Sequence, residues 1–283
     1  SDSTRRRFCR RNSGASSAAH LNRVQSNVST RLKQLEATLE APLFRRQNRR
    51  LVLSEQGRVL LSYADRLLRL SAEAQAAVRD GAPQGLLRVG TMESTAAARL
   101  PPILAAYHAA WPQVRIELVT GTSGALAAKV RNYEIEAAFV ARPFEAQGLA
   151  QQPAFDEELA LISPLAWPAI RGPRDVGERS VIAFAAGCSY RRILESWFGQ
   201  DGVAPGKVME FASYHAIVAC VAAGSGVAIV PRSVLALLGA EPSLRVTPLS
   251  GKHGHAQTRL IWRADDETPA LQALRQLLAQ RRQ

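Results

Sequence analysis

Cysteine is scarce in this chain: Cys9, Cys188 and Cys220 are the only three, and they lie far apart. An odd, scattered set builds no disulfide framework and matches no zinc-ligand spacing, which suits a reducing compartment. Histidine is nearly as sparse, at five residues. Walker, dinucleotide-binding Rossmann and zincin patterns are absent. The longest apolar stretch, Ala216 to Pro231, is broken by Gly224-Ser225-Gly226 and is too short to span a bilayer. The basic N-terminus has no apolar h-region, so it does not read as a secretory signal. A soluble cytoplasmic protein with no membrane contact is expected.

Enzyme chemistry finds little support. Cys188 stands before a helix, where the dipole lowers a thiol pKa, and His215 is available, yet no spacing places a base beside the sulfur. No catalytic residue is assigned, and an enzyme is not expected. His253-Gly254-His255 lacks further ligands and reads as a solvated turn, so neither a metal nor a cofactor is expected.

What the chain has is positive charge, unevenly spread. The net charge is +12, and residues 1–85 hold 16 Lys/Arg against 7 Asp/Glu. The remaining 198 residues carry a surplus of only three. An excess confined to one end marks an anion-binding module joined to a near-neutral one. Within that end, a short helix from Gln25 would bury Val28, Leu32, Leu35 and Leu39 on one side. Its other side shows Gln25, Asn27, Ser29, Thr30, Arg31 and Lys33, all able to bond bases or phosphates. Asn22 with Gln25 resembles a capping box at its start. An arginine-rich wing follows, with a loop over Arg45 to Arg50 and a strand through Leu51 to Leu53. That pairing suits a helix in the major groove with a basic wing on the backbone beside it.

From Ser54 a longer helix is expected, with Leu60, Leu61, Ala64, Leu67, Leu68 and Ser71 at three- and four-residue steps. Such a stripe suits packing on a second copy of the chain. Asp80 to Gly85, with two Gly and one Pro, marks a boundary. Beyond it strand and helix alternate. Strands are expected at 86–90, 114–119, 137–140, 181–184, 208–211, 227–230 and 258–262, with a crossover near 159–163. Helices are expected at 95–111, 123–132, 189–198, 214–223 and 269–281. The rhythm predicts a mostly parallel sheet with helices on both faces, in two lobes with a cleft between them.

The chain resembles the LysR-type transcriptional regulators over residues 18–283. Gln25, Val28, Ser29, Leu35 and Glu36 match one family signature. Leu43, Phe44, Arg46, Arg49, Leu51, Leu53, Ser54 and Gly57 match the next. Gly187 to Arg191 and Gly224 to Pro231 resemble signatures of the family's effector domain, which has a periplasmic-binding-protein-like fold. The implied architecture is α/β overall: a winged helix-turn-helix at 1–57, a linker and dimerisation helix with hinge at 58–85, and an effector domain at 86–283. Its first lobe would take about 86–160 plus 258–283, and its second about 161–257. The start departs from the pattern. Arg5, Arg6, Arg7, Arg10 and Arg11 crowd where apolar residues should pack, and a buried arginine without a partner is costly. The normal first helix is therefore not expected over residues 1–17, and a misassigned or frame-shifted start is the expectation there.

Two sites follow. For DNA the candidates are Gln25, Ser29, Thr30 and Arg31 at the groove, with Arg46, Arg49 and Arg50 on phosphates or in the minor groove. For a small-molecule effector the resemblance implies Ser94, Thr95, Thr120, Thr122, Ser123, Cys188, Ser189 and Tyr190, at strand ends that open into helices. The alternative for the serines and threonines is that they cap their own helices. Glu93 either opposes a carboxylate or receives an amine, and the sequence does not choose. The partners implied are double-stranded DNA, further copies of the chain as dimer or tetramer, and RNA polymerase. The resemblance implies a regulator whose DNA binding an effector modulates. The alternative is a small-molecule sensor whose divergent start has impaired DNA binding.

Overall fold

The computed structural model describes residues 25–47, 50–78, 82–142, 144 and 146–281, in two units that divide between Asp80 and Gly81. The arginine-rich start, the capping pair at Asn22, Cys9 and Arg49 lie outside these residues.

In the first unit, helix α1 (Gln25–Thr38) leads into a hairpin of β1 (Phe44–Gln47) and β2 (Arg50–Leu53), and then α2 (Glu55–Val78). Glu36 fastens the turn: its carboxylate accepts the N–H of Leu43 at 2.7 Å and of Phe44 at 3.1 Å. Ser54 caps α2, its hydroxyl accepting the Gly57 N–H at 2.9 Å while donating to the Pro42 carbonyl at 2.6 Å. Gly57 is required by contact, because a Cβ there would lie 2.0 Å from the Leu43 carbonyl oxygen. Arg45 and Arg46 stand in β1, paired with Val52 and Leu51, and not in the wing loop expected for them. Strand pairing there continues to Gln47 and Arg50, which shortens the loop.

Burial along α1 is shallower than its apolar spacing suggests. Val28 and Leu32 are half-buried, whereas Leu35 and Leu39 each stay 43% exposed. On α2, Leu60, Leu61, Ala64 and Leu68 are half-buried. The strongly exposed apolar residues are Val59, Tyr63, Leu67 and Leu70, each more than half exposed. Their steps of four, four and three put them on one side of the helix.

The second unit runs β3 (Gly85–Thr91), α3 (Glu93–Ala98), α4 (Leu100–Ala110), β4 (Val114–Thr120), α5 (Ser123–Arg131), β5 (Ala137–Ala141) and β6 (Ala150–Pro164). It continues with α6 (Pro173–Val176), β7 (Val181–Ala183), α7 (Ser189–Gly199), β8 (Val208–Glu210), α8 (Tyr214–Ala222), β9 (Ala228–Pro231) and α9 (Arg232–Leu238). β10 (Leu244–Pro248), β11 (His255–Trp262) and α10 (Pro269–Gln280) complete it. The helix expected over 95–111 is two, broken at Arg99. Pro101 and Pro102 lack N–H groups and their rings crowd the preceding turn, so they are accommodated only in a first turn.

The sheet is mixed, a correction to the mostly parallel arrangement expected. β3 pairs parallel with β4 and β5, but β11 runs antiparallel to both β5 and β6, and β9 and β10 run antiparallel to β6. β6 explains the difference. Its first half pairs with β11 and its second with β9 and β10, so one 15-residue strand serves both lobes. β7 and β8 pair parallel, and Val181 bridges Val227 beside β9. One core packs Leu87, Val89, Ile103, Tyr107, Leu260 and Leu271 together. The Tyr107 hydroxyl donates to the Ala270 carbonyl at 2.8 Å, tying α4 to α10. A second core gathers Leu126, Val140, Leu161, Phe198, Ile217 and Val230.

Candidate functional site

The strand ends β3 and β4 in the first lobe face the ends of β7 and β8 in the second around a cavity of about 230 Å³. Met92, Glu93, Ser94 and the loop Thr120 to Ser123 line one wall. Phe184, Ala185, Cys188, Tyr190, Phe211, Ala212 and Tyr214 line the other. A cleft at the carboxyl ends of strands in an open α/β sheet is the usual place for a ligand.

Six of the eight effector candidates line this cavity: Ser94, Thr120, Thr122, Ser123, Cys188 and Tyr190. Thr95 and Ser189 do not; both are buried behind it. The two serines at helix starts, Ser123 and Ser189, cap neither helix. Ser123 Oγ accepts the Ala141 N–H at 3.2 Å, and Ser189 Oγ donates to the Ala141 carbonyl at 2.6 Å. One residue at the end of β5, Ala141, is thus gripped from α5 and from α7. Thr122 does cap its helix, accepting the Ala125 N–H at 3.4 Å. Across the cleft the Gly124 N–H donates to the Gly187 carbonyl at 3.4 Å. Gly187 is needed for that approach: its φ is +92°, and an added Cβ would lie 3.1 Å from Thr122 Oγ1.

Polar groups in the cavity wall differ from the nearby Arg191 in how they are partnered. Glu93 Oε2 is a buried atom with no hydrogen-bond partner, and the buried Ser94 hydroxyl lies beside those of Tyr190 and Tyr214. Glu93 has its carboxyl raised by burial, opposed by the Tyr214 backbone N–H and by the charge of His215. Tyr190 and Tyr214 are pushed up by burial and stay protonated. Arg191 is occupied: it donates to Glu195 at 2.9 Å, to the Phe184 carbonyl at 3.3 Å, and to Glu210.

On α1, Ser29, Thr30, Arg31 and Lys33 are exposed, as are Arg46 on β1 and Arg50 on β2. Gln25 begins the helix by its backbone, and its side chain is not among the described groups. The polar edge therefore points to solvent. It can meet a duplex.

Both units match known families. Residues 6–58 match the bacterial regulatory helix-turn-helix proteins of the lysR family, and residues 80–283 match the LysR substrate binding domain. The chain belongs to the LysR family of transcriptional regulators. The HTH-type transcriptional regulator GltR of Bacillus subtilis is 39% identical over 266 residues, covering 93% of this chain and 90% of its own length. The HTH-type transcriptional regulator SoxR of an Arthrobacter species is 36% identical, with 88% of this chain and 84% of its own covered. In fold, a full-length OxyR from Pseudomonas aeruginosa has a TM-score of 0.74 at 21% identity, over 98% of this chain and 91% of that one. CbnR in complex with its target DNA has a TM-score of 0.67 at 21% identity, over 94% and 93%. This is a LysR-type regulator with a helix-turn-helix DNA-binding domain and a substrate-binding effector domain. The helix-turn-helix match begins at residue 6, so it includes most of the arginine-rich start, and no comparison favours a sensor that has lost DNA binding.

Two readings of the regulator's sequence are corrected inside the effector domain. Cys188 does stand at a helix start, yet burial outweighs the backbone N–H groups of Arg191 and Tyr190 and pushes its thiol up. His253 is not in a solvated turn. It is buried, with Nε2 3.2 Å from Ser196 Oγ. Among the described residues no group of three or more His, Cys, Asp or Glu could hold a metal ion, and no helix is long and apolar enough to cross a membrane. The sequence reading missed the aromatic wall of Phe184, Phe211 and Tyr214. Phe184 and Phe211 directly follow β7 and β8, and Tyr214 opens α8, positions that read as ordinary core until the two strands pair.

Proposed function

We propose that this regulator acts in the cytoplasm as a dimer or tetramer on a double-stranded operator, its DNA affinity set by a small-molecule effector in the interlobe cavity. The observation that carries the effector reading is the cavity itself, walled by the buried hydroxyls of Ser94 and Tyr190 and by Glu93, whose Oε2 is buried without a hydrogen-bond partner. Such an atom gains most from a ligand that satisfies it. On α2, the exposed row of Val59, Tyr63, Leu67 and Leu70 supports pairing with a second copy. Two paired helix-turn-helix domains suit a pseudo-palindromic site. RNA polymerase is a further partner of this reading, and no cofactor other than the effector enters it.

Arg31 and Gln25 would read base edges, with Ser29 and Thr30 on bases or phosphates, and Arg46, Arg49 and Arg50 on the backbone. Substituting Arg31→Ala and Gln25→Ala together should cost about 1–3 kcal/mol for each base edge no longer read. Gel-shift titration against the upstream DNA of the protein's own gene, with the oligomer checked by light scattering, tests this. Full operator affinity in the double variant would refute the recognition surface.

A further inference from the structure

The helix starts around the cavity are already provided for by the protein's own groups. Thr122 takes an N–H of α5, and the Gly187 carbonyl takes another. The Cys188 sulfur lies against the Tyr190 and Arg191 N–H groups of α7. At α8, where Ser213 makes no side-chain cap, the Tyr214 N–H serves the Glu93 carboxylate from the opposite wall. Among the described residues that line the cavity, none is Arg, Lys or His. The nearby Arg191 is held by two carboxylates. An incoming acid would find the usual anion-binding dipoles spent, no lining cation, and Glu93 facing it.

What is left over has the opposite preference. Glu93 Oε2 is a buried acceptor without a partner. His215, exposed on α8, reaches the same carboxylate through space and favours its charged form. Opposite stand Phe184, Phe211, Tyr190 and Tyr214, with the Phe184 and Tyr214 rings 4.8 Å apart and tilted by 54°. Ring faces beside a carboxylate attract cations and the apolar groups that carry them. Ser94 and Tyr190 hydroxyls can accept as well as donate. The volume, at about 230 Å³, suits a compact molecule.

We infer that the effector is a compact organic cation, a protonated amine or small alkylammonium on an apolar body, paired with Glu93 and packed on the aromatic wall. This rests on the reading of the cavity as the effector site.

Isothermal titration of the full chain with three amines (benzylamine, phenethylamine and cyclohexylamine hydrochlorides) and with sodium benzoate at matched ionic strength tests it. Saturable binding of at least one amine is expected, with benzoate at least tenfold weaker than the best amine. Glu93→Gln should weaken that amine at least tenfold. Because Glu93 also serves α8, Phe211→Leu provides a second variant that keeps bulk and removes a ring. It should weaken the amine severalfold with an unchanged melting curve. Benzoate binding more tightly than every amine, no saturable binding by any of the three, or an amine affinity unmoved in both variants would overturn the cation assignment. The effector reading fails differently: an amine that binds through Glu93 yet leaves operator affinity unchanged keeps the cation and refutes the coupling.

Discussion

The two units put their chemistry in opposite places. In residues 25–78 the groups that matter face outward: Ser29, Thr30, Arg31 and Arg46 are exposed, and even Leu35 and Leu39 are 43% exposed. In residues 82–281 they face inward, with Ser94, Ser123, Ser189 and Tyr190 each nearly inaccessible to solvent. The first unit is a surface awaiting a large, charged partner whose phosphates supply the binding energy. The second encloses a cavity, and on the proposed reading its selectivity comes from Glu93, the buried hydroxyls and the aromatic wall. Substitutions should therefore act through contact in one unit and through desolvation in the other.

The sharpest way to break that contrast is at Gly57, where the outward-facing unit leaves no room for a side chain. A Cβ there would lie 2.0 Å from a backbone carbonyl, which cannot move aside as a side chain can. Gly57→Val should cost about 3 kcal/mol or more. Circular dichroism and limited proteolysis should show residues 1–80 destabilised while the 81–283 unit resists; equal loss in both would show that the units do not fold separately. A smaller effect is expected inside the second unit. Ser189→Ala leaves the Ala141 carbonyl without its 2.6 Å donor and should cost about 1–3 kcal/mol, read from the urea midpoint. No shift in midpoint would mean that this bond is not part of the domain's stability. The smallest effect belongs to the surface. Arg46→Ala should weaken specific and random DNA alike and lower the salt dependence of binding by about one unit of slope. A loss confined to the operator sequence would instead make Arg46 a base reader.

The local part of this organisation was legible in the sequence, and the long-range part was not. Alternating strands and helices, the outward edge of α1 and the start of α2 near Ser54 all follow from neighbours within a few residues. β6 did not show itself, because Gln151, Gln152 and the acidic Asp156-Glu157-Glu158 interrupt its apolar pattern. Glu157 is nevertheless buried, held by Arg99 at 2.7 Å and by Ser233 at 2.8 Å, partners 58 and 76 residues away. No window of sequence contains that arrangement. The same holds for Ser123 and Ser189, whose place at helix starts suggested capping, while each makes a bond to Ala141. In the cavity, hydroxyls at strand ends were readable from their position. The aromatic wall was not, since Phe184, Phe211 and Tyr214 look like ordinary core residues until β7 and β8 bring them together.

The grip on Ala141 has a mechanical consequence. Its N–H belongs to a serine of one lobe and its carbonyl to a serine of the other, so widening the gap strips a buried oxygen of its donor at a stroke. On the proposed reading, a ligand that held the lobes farther apart would have to offset about the worth of that one shielded bond.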